Sequence, residues 1–344
     1  MMSKNRPPRS RLLLLESITA CGRPARDWPA SLWQEAQAMR SALARDLREL
    51  CGEDLIEALT PDAAGLAAGQ QAVNRHPAWP EWGELLAGCG KVLLVAPECG
   101  GELLTLSLLA IAQGSRLLGS SPAAIHIGGS KARTAAWFAQ AGLPVVPTLP
   151  LHAMSPSAAP GDWVLKPDDG AGALGVRRIT TESAAFDAAS RYGAAIQPAA
   201  QPLATASAPL VVQPWVDGPS GSLFVFNDGQ QLRLLASSTQ HIEWRNEGAR
   251  LVGLEVNAPL LPWSDARALA RRVAGCLPGL RGFWGLDFVC TRAGPLILEV
   301  NPRPTSTYPA LRGSLGWNPA RLLAGLSVPA EGSVPGSPIR LGFG

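Results

Sequence analysis

Residues 283–289 (FWGLDFV) and 296–304 (LILEVNPRP) put Asp287, Glu299, Asn301 and Arg303 near the ends of two apolar runs. Two carboxylates and an amide oxygen are hard donors of the kind that hold Mg²⁺, and an arginine beyond them can meet a transferred phosphoryl group. An unpaired carboxylate inside an apolar strand is expensive to bury, so Asp287 and Glu299 read as ligands rather than as solvated strand positions. The runs predict a β-hairpin, in which alternation turns Asp287 one way and sets Glu299 and Asn301 on a common face.

Lysine points to the same chemistry. Of 30 basic residues only Lys4, Lys91, Lys131 and Lys166 are lysines, and a compact ammonium suits a phosphate in a tight site better than a guanidinium does. Lys131 opens a predicted amphipathic helix over 132–141. Lys166 lies on an apolar strand within 163–179 (WVLKPDDGAGALGVRRI), where Gly170, Gly172 and Gly175 match GxGxxG. A dinucleotide fingerprint requires a helix to begin at the third glycine. Here a strand over 176–179 follows instead, with a helix only at 182–192, so the glycines sit at a hairpin tip whose backbone N–H groups can fold over phosphates. An ordinary glycine-rich hairpin is the alternative, and it leaves a lysine on an apolar strand unexplained.

These residues need a large framework. With 344 residues, 47% hydrophobic and 17% charged, the chain can build a soluble core in two or three domains. A net charge of +3 with scattered arginines argues against nucleic acid or an acidic membrane as partner. Six cysteines without a CxxC pair or a nearby histidine read as reduced and mostly buried, so neither a zinc site nor disulfides are expected. His126, His152 and His241 are isolated, and no Ser-His-Asp arrangement emerges. The basic start and the leucines at 12–15 imitate a lipoprotein signal leading to Cys21, but Glu16 interrupts an apolar core that should run about 7 to 15 residues. No run reaches the roughly 18 apolar residues of a membrane span, and a cytoplasmic protein is the expectation.

The pattern predicts a strand at 12–16, a helix at 31–50 continued over 54–59, a strand at 92–96, a helix at 102–113 and a strand at 116–119. This alternation over 11–121 implies an open parallel sheet covered by helices. Glu98 then lies at a strand's carboxyl end, to contact substrate or to cap a helix. Beyond a loop at 194–209 come a strand at 210–216, a hairpin of 222–227 with 231–236 across Asp228 and Gly229, strand-like pieces over 240–262, and a helix at 265–277. A short final helix at 318–326 and a poorly ordered end complete the reading.

In order and spacing, the helix-opening lysine, the strand lysine with its glycine hairpin, the VVQPWV strand and the GLD…LEVNPR close resemble the ATP-grasp superfamily of carboxylate–amine ligases, over about residues 90–325. The resemblance implies a mixed fold of α/β and α+β parts: an N-terminal α/β domain (11–121), a lid subdomain (122–209) and a C-terminal subdomain with the metal site (210–328), between tails at 1–10 and 329–344. It also implies that ATP is gripped between the two subdomains and that an acyl phosphate is made and then attacked by an amine. By position, Lys131 and Lys166 would meet the phosphates under Gly170, Gly172 and Gly175. Gln213, Pro214, Trp215 and Val216 would read adenine through the backbone. Asp287, Glu299 and Asn301 would hold Mg²⁺ or Mn²⁺, and Arg303 would act with Lys166 on the phosphoryl group. Ser130 stands where the family commonly has Asp, and Gln213 near where it commonly has Glu.

The opening LLLLESITACG, the Pro97–Glu98 pair and NPRPTSTY look most like the tyramine–glutamate ligase of methanofuran and methylofuran biosynthesis. That implies glutamate as carboxylate, tyramine or tyrosine as amine, and a homodimer. Arg303 and Arg312 would meet the dicarboxylate, and Tyr308, Trp317 and Trp284 would be either an aromatic wall or core aromatics. A kinase-type phosphotransferase and a nonenzymatic nucleotide-binding module are the competing readings.

Overall fold

Five consecutive buried residues make β1 (Leu12–Glu16) a strand covered on both faces, as in a parallel sheet. The computed structural model describes residues 11–21, 25–59, 70–72, 79–154, 161–180, 209–245, 248–332 and 336–343. In it β1 pairs in parallel with β2 (Leu55–Leu59) on one side and β4 (Lys91–Val95) on the other. With β3 (Gln70–Ala72) and β5 (Arg116–Leu117) the order is β3-β2-β1-β4-β5. Alternation along β1 divides its leucines. Leu12 and Leu14 pack with α1 (Ala30–Cys51), and Leu13 and Leu15 share a core with α2 (Trp79–Ala87) and α3 (Glu102–Ala112).

The expected helical continuation over 54–59 is corrected. Gly52, at φ +56, ends α1 in a conformation that favours glycine, and the chain enters the sheet as β2. Glu57 is buried there, held by Arg48 and, at 3.4 Å, by Arg40, both from α1.

Two antiparallel sheets follow. The four-stranded one has the order β6-β9-β7-β8, built from β6 (Leu149–Pro150), β7 (Asp162–Pro167), β8 (Arg177–Thr180) and β9 (Leu210–Pro214). The six-stranded one has the order β14-β13-β10-β11-β12-β15. Its strands are β10 (Ser220–Asn227), β11 (Leu232–Arg245), β12 (Gly248–Val256), β13 (Gly282–Thr291), β14 (Gly294–Asn301) and β15 (Ile339–Gly342). The pieces expected over 240–262 are thus one long strand and its partner. The segment read as a loose tail supplies β15, which pairs with the outer edge of β12; an open edge of unpaired backbone groups rewards such an addition.

Helices α4 (Pro122–Gly128) and α5 (Lys131–Gln140) link the first sheet to the rest, and α6 (Trp263–Cys276) precedes the β13–β14 hairpin. The helix expected at 318–326 is reduced to a single 3₁₀ turn at Pro319–Arg321, while α7 (Tyr308–Leu315) forms just upstream. The predicted helix at 182–192, most of the loop at 194–209 and the tail at 1–10 lie outside the described residues.

One core spans the two halves of the molecule, with Leu14, Leu43 and Leu47 joining Phe224, Phe283 and Tyr308. At its edge the buried Asp46 carboxylate accepts from Tyr308 Oη at 3.2 Å and Arg312 Nη1 at 3.1 Å, and its carbonyl accepts from Asn318 Nδ2 at 2.8 Å. This joint between α1 and α7 holds the N-terminal sheet against the C-terminal one.

Glu102, at the start of α3, is buried, and burial pushes its carboxyl up to about 7, with the Ser17 hydrogen bond opposing and the charge of Glu16 adding to the rise. A carboxyl raised in the folded state contributes stability that is fully present below its unfolded value and is lost as pH rises through about 7. Glu102→Gln mimics the neutral form, so its thermal midpoint is expected to fall less steeply from acid to mildly alkaline pH than that of the wild type. Parallel slopes for the two proteins, read by circular dichroism, would contradict this.

Candidate active site

Register decides the first question about the site. Asp287 on β13 lies directly opposite Glu299 on β14, and Gly285 opposite Asn301. Residues opposed across an antiparallel ladder share a face, so Asp287, Glu299 and Asn301 all point the same way, and the expected separation of Asp287 from the other two is corrected. Gly285 is required here, because a Cβ would sit 2.7 Å from Thr305 Cγ2. Asn301 Nδ2 donates to Asp287 Oδ2 at 3.1 Å, and Gln240 Nε2 from β11 donates to Oδ1 at 3.1 Å. Gln240 lies in the stretch read only as strand-like pieces, so its place at the site was not foreseen.

The lysines converge on this pair. Lys131, the first residue of α5, reaches Glu299 Oε2 at 3.2 Å and donates to the carbonyl of Gly170 at 2.7 Å, tying the glycine hairpin to the carboxylate. Lys166 Nζ, on a residue 6% exposed, makes no hydrogen bond or ion pair among the described residues. Burial pulls its ammonium down to about 8, with Lys131 adding and Glu299 and Asp287 opposing. Burial also raises the Asp287 carboxyl, and the facing Glu299 raises it further. The same burial acts on Glu299, but Lys131 and Lys166 together outweigh it and hold that carboxyl below the ordinary range.

The glycine hairpin is anchored at its root. Asp168 Oδ1 accepts from Ala132 N at 2.8 Å, and Asp169 Oδ2 accepts from Gly100 N at 2.8 Å. Sequence reading quoted both aspartates without a role; two adjacent acids in a turn facing helix starts were the available signal. Gly170 and Gly172 line the cavity described below, whereas Gly175, at φ +72, turns the chain into β8 outside that lining. No helix begins at Gly175, so the dinucleotide arrangement is absent from this turn. Ser130 caps α5 by accepting from Arg133 N at 3.1 Å, and Gln213 donates from Nε2 to Thr148 Oγ1 at 2.8 Å.

Arg303 is not free. Its Nε and Nη2 donate to the two oxygens of Glu98, each at 3.0 Å, and this ion pair outweighs the effect of burial and raises the guanidinium further. Glu98 occupies the N-cap position of the turn that leads into α3 but makes no side-chain cap hydrogen bond there. Arg312 is held by Asp46 and by Glu49 at 2.6 Å. Tyr308 and Trp284 are fully buried core residues, Trp317 packs against the same core as Tyr308, and none of the three lines the cavity. The expected cation Arg312 and the expected aromatic wall are therefore both corrected. Of the six cysteines, all free, only Cys21 and Cys89 are buried.

One cavity of about 840 Å³ collects the set. Its lining includes Val164, Lys166 and Gln213, Pro214, Trp215 and Val216, with Trp244 from β11; Asp287, Glu299, Asn301 and Arg303; and, from the N-terminal elements, Glu16, Glu35 and Met39. Trp215 packs edge-on against Trp244 at 4.9 Å between centroids, with the Arg178 guanidinium 4.0 Å over its ring. The facing carboxylates and the amide oxygen are hard donors that lack enough positive charge, since Asp287 is pushed toward its neutral form. That donor set fits Mg²⁺. Among the described residues there is no cluster of three or more His, Cys, Asp or Glu side chains that could hold a metal, and no helix long and apolar enough to cross a membrane.

With this geometry in place, comparison with known proteins gives the class. Residues 129–307 match the ATP-grasp domain, and residues 59–125 match the pre ATP-grasp 3 domain. The chain belongs to the ATP-grasp family, and is an ADP-forming ligase that uses ATP with Mg²⁺. Solved structures agree on the fold. An ATP-grasp superfamily protein of Archaeoglobus fulgidus is similar at 20% identity and TM-score 0.67, covering 92% of this chain and 89% of that one. The D-alanine–D-alanine ligase of Bacillus anthracis, complexed with ATP, is similar at 15% identity and TM-score 0.62, covering 91% and 94%. The L-amino acid ligase of Bacillus licheniformis is similar at 15% identity and TM-score 0.61, covering 91% and 73%. No curated protein matches the chain by sequence.

Proposed function

We propose that this ligase joins a carboxylate to an amine by way of an acyl phosphate, with the site residues in the following roles. Lys166 and Lys131 meet the nucleotide phosphates, Gly170 and Gly172 close over them, and Gln213 to Val216 read the base. Asp287, Glu299 and Asn301 hold Mg²⁺, which when bound neutralises phosphate oxygens. Arg303, set by Glu98, faces the transferred phosphoryl group. The glycine hairpin, closed over the phosphates, excludes water, so that the activated carboxylate survives until the amine arrives.

The observation that carries the reading is the continuity of the cavity. The cavity, of about 840 Å³, is lined both by the proposed metal donors and by Glu16 and Val95 of the N-terminal sheet. Room for reactants on both sides of the phosphoryl group is what a two-substrate ligation needs.

Glutamate and tyramine, with tyrosine as the alternative amine, are the substrates we put forward. The amine half is supported by the apolar side chains Ile18, Leu32, Ala36 and Met39 in the cavity lining. The glutamate half has less behind it, because Arg303 and Arg312 are both engaged by acids of the chain. The test supplies purified protein with MgATP, glutamate and a panel of amines, following ADP and product mass. Amide formed only with both substrates present is expected. A phosphorylated hydroxyl product formed at a rate indifferent to amine would replace the ligase with a phosphotransferase.

A further inference from the structure

The cavity is lined by charged groups of both signs. Lys166, 6% exposed, lines it without a hydrogen bond or ion pair among the described residues, a cation in want of an anionic ligand. From the N-terminal elements the acids in the lining are Glu16, at the carboxyl end of β1, and Glu35, in the second turn of α1.

Glu16 is 1% exposed. Its oxygens accept from the backbone of Ile18 at 3.2 Å and of Thr19 at 2.7 Å, bonds that orient the carboxylate but bring no positive charge. Glu35 Oε2 accepts from Ser306 Oγ at 3.1 Å. Neither acid has an ion pair within 4.0 Å among the described residues. The nearest cations are already committed, Arg40 to Glu57 and Arg303 to Glu98. Burial accordingly pushes both carboxyls above the ordinary range. Two acids left without counter-ions in an apolar chamber are costly unless the ligand brings the charge.

We propose that Glu16 and Glu35 recognise the ammonium of the acceptor, so that the second substrate is a primary amine carried as a cation on an apolar body. Naming that ligand the acceptor rests on the ligase reading; the ammonium subsite itself does not require turnover. The arrangement selects by sign. An anionic acceptor would face two acids with no free cation beside them, and a neutral alcohol or thiol would leave both charges unmatched.

Calorimetric titration of the full chain tests this, with tyramine set against para-ethylphenol and phenethylamine against phenethyl alcohol, pairs that differ in the ammonium. At least one amine is expected to bind about tenfold or more tighter than its uncharged counterpart, the range of a charge-assisted hydrogen bond. Glu35→Gln and Glu16→Gln should each erase that advantage and leave MgATP binding unchanged. Glu16 also orders the turn at 17–19, so its variant counts only with a wild-type thermal midpoint; Glu35→Gln, whose carboxylate is bonded to Ser306 alone, carries the test otherwise. Equal binding within both pairs, no binding by either amine, or a preference that survives both substitutions overturns the subsite. If the preference holds and no amide forms with any carboxylate, the ligase reading falls and the ammonium subsite stands. Amide formation with an amine KM unmoved by Glu35→Gln overturns the subsite alone.

Discussion

Asp287→Asn and Glu299→Gln are each expected to lower turnover by about 100-fold or more while the chain stays folded. The two carboxylates face each other across the β13–β14 ladder, and each substitution keeps side-chain volume while removing one unit of negative charge from the proposed metal site. In the metal-free protein that charge is a liability, because Asp287 is raised by burial and by Glu299. Asp287→Asn should therefore change the thermal midpoint little. Glu299→Gln should lower it somewhat, since Lys131 loses its ion-pair partner at 3.2 Å. Steady-state rates at saturating Mg²⁺, melting curves and calorimetric Mg²⁺ titration in the presence of ADP together read out the roles. A variant that keeps near wild-type turnover, or binds Mg²⁺ as tightly as the parent, contradicts the metal assignment.

Arg303→Ala should be costly to the fold as well as to the reaction. Its guanidinium and the Glu98 carboxylate form a two-bond pair with both side chains nearly buried, at 11% and 7% exposure. Removing one partner of such a pair leaves the other charge uncompensated, which costs about 3–5 kcal/mol. Neutralising both, as Arg303→Met with Glu98→Gln, should recover most of that stability. Turnover should not recover, because no cation then faces the phosphoryl group. Urea unfolding and kcat/KM on the two variants separate the outcomes. Activity returning with stability in the double variant would mean that Arg303 serves only to neutralise Glu98.

Local pattern was enough for much of this molecule. The four leucines of β1, the 3.6-residue spacing of Leu43, Leu47 and their neighbours in α1, the isolated lysines and the oxygen donors of the hairpin are legible because backbone periodicity and unusual residue types act over a few positions. The sequence by itself therefore determined the parallel N-terminal sheet, the glycine hairpin followed by a strand rather than a helix, and the residues brought to the proposed metal site. Tertiary structure decided what depends on which distant segments meet. The stretch 55–59 becomes a strand because β1 pairs along its edge while Leu55 packs with α1 on one face and Ile56 and Ala58 share the core of α2 and α3 on the other, and residues 339–342 become a strand because β12 offers a free edge. Asp287 shares a face with Glu299 only because the register, with its irregularity between Asp287 and Phe288, sets them opposite. Glu98 and Arg303 lie 205 residues apart in sequence, and the capture of Arg312 by Asp46 spans 266. No local periodicity reports on such pairings, since each arises from the docking of one sheet against another, and that docking fixed which cations stay free and which acids wait for a ligand.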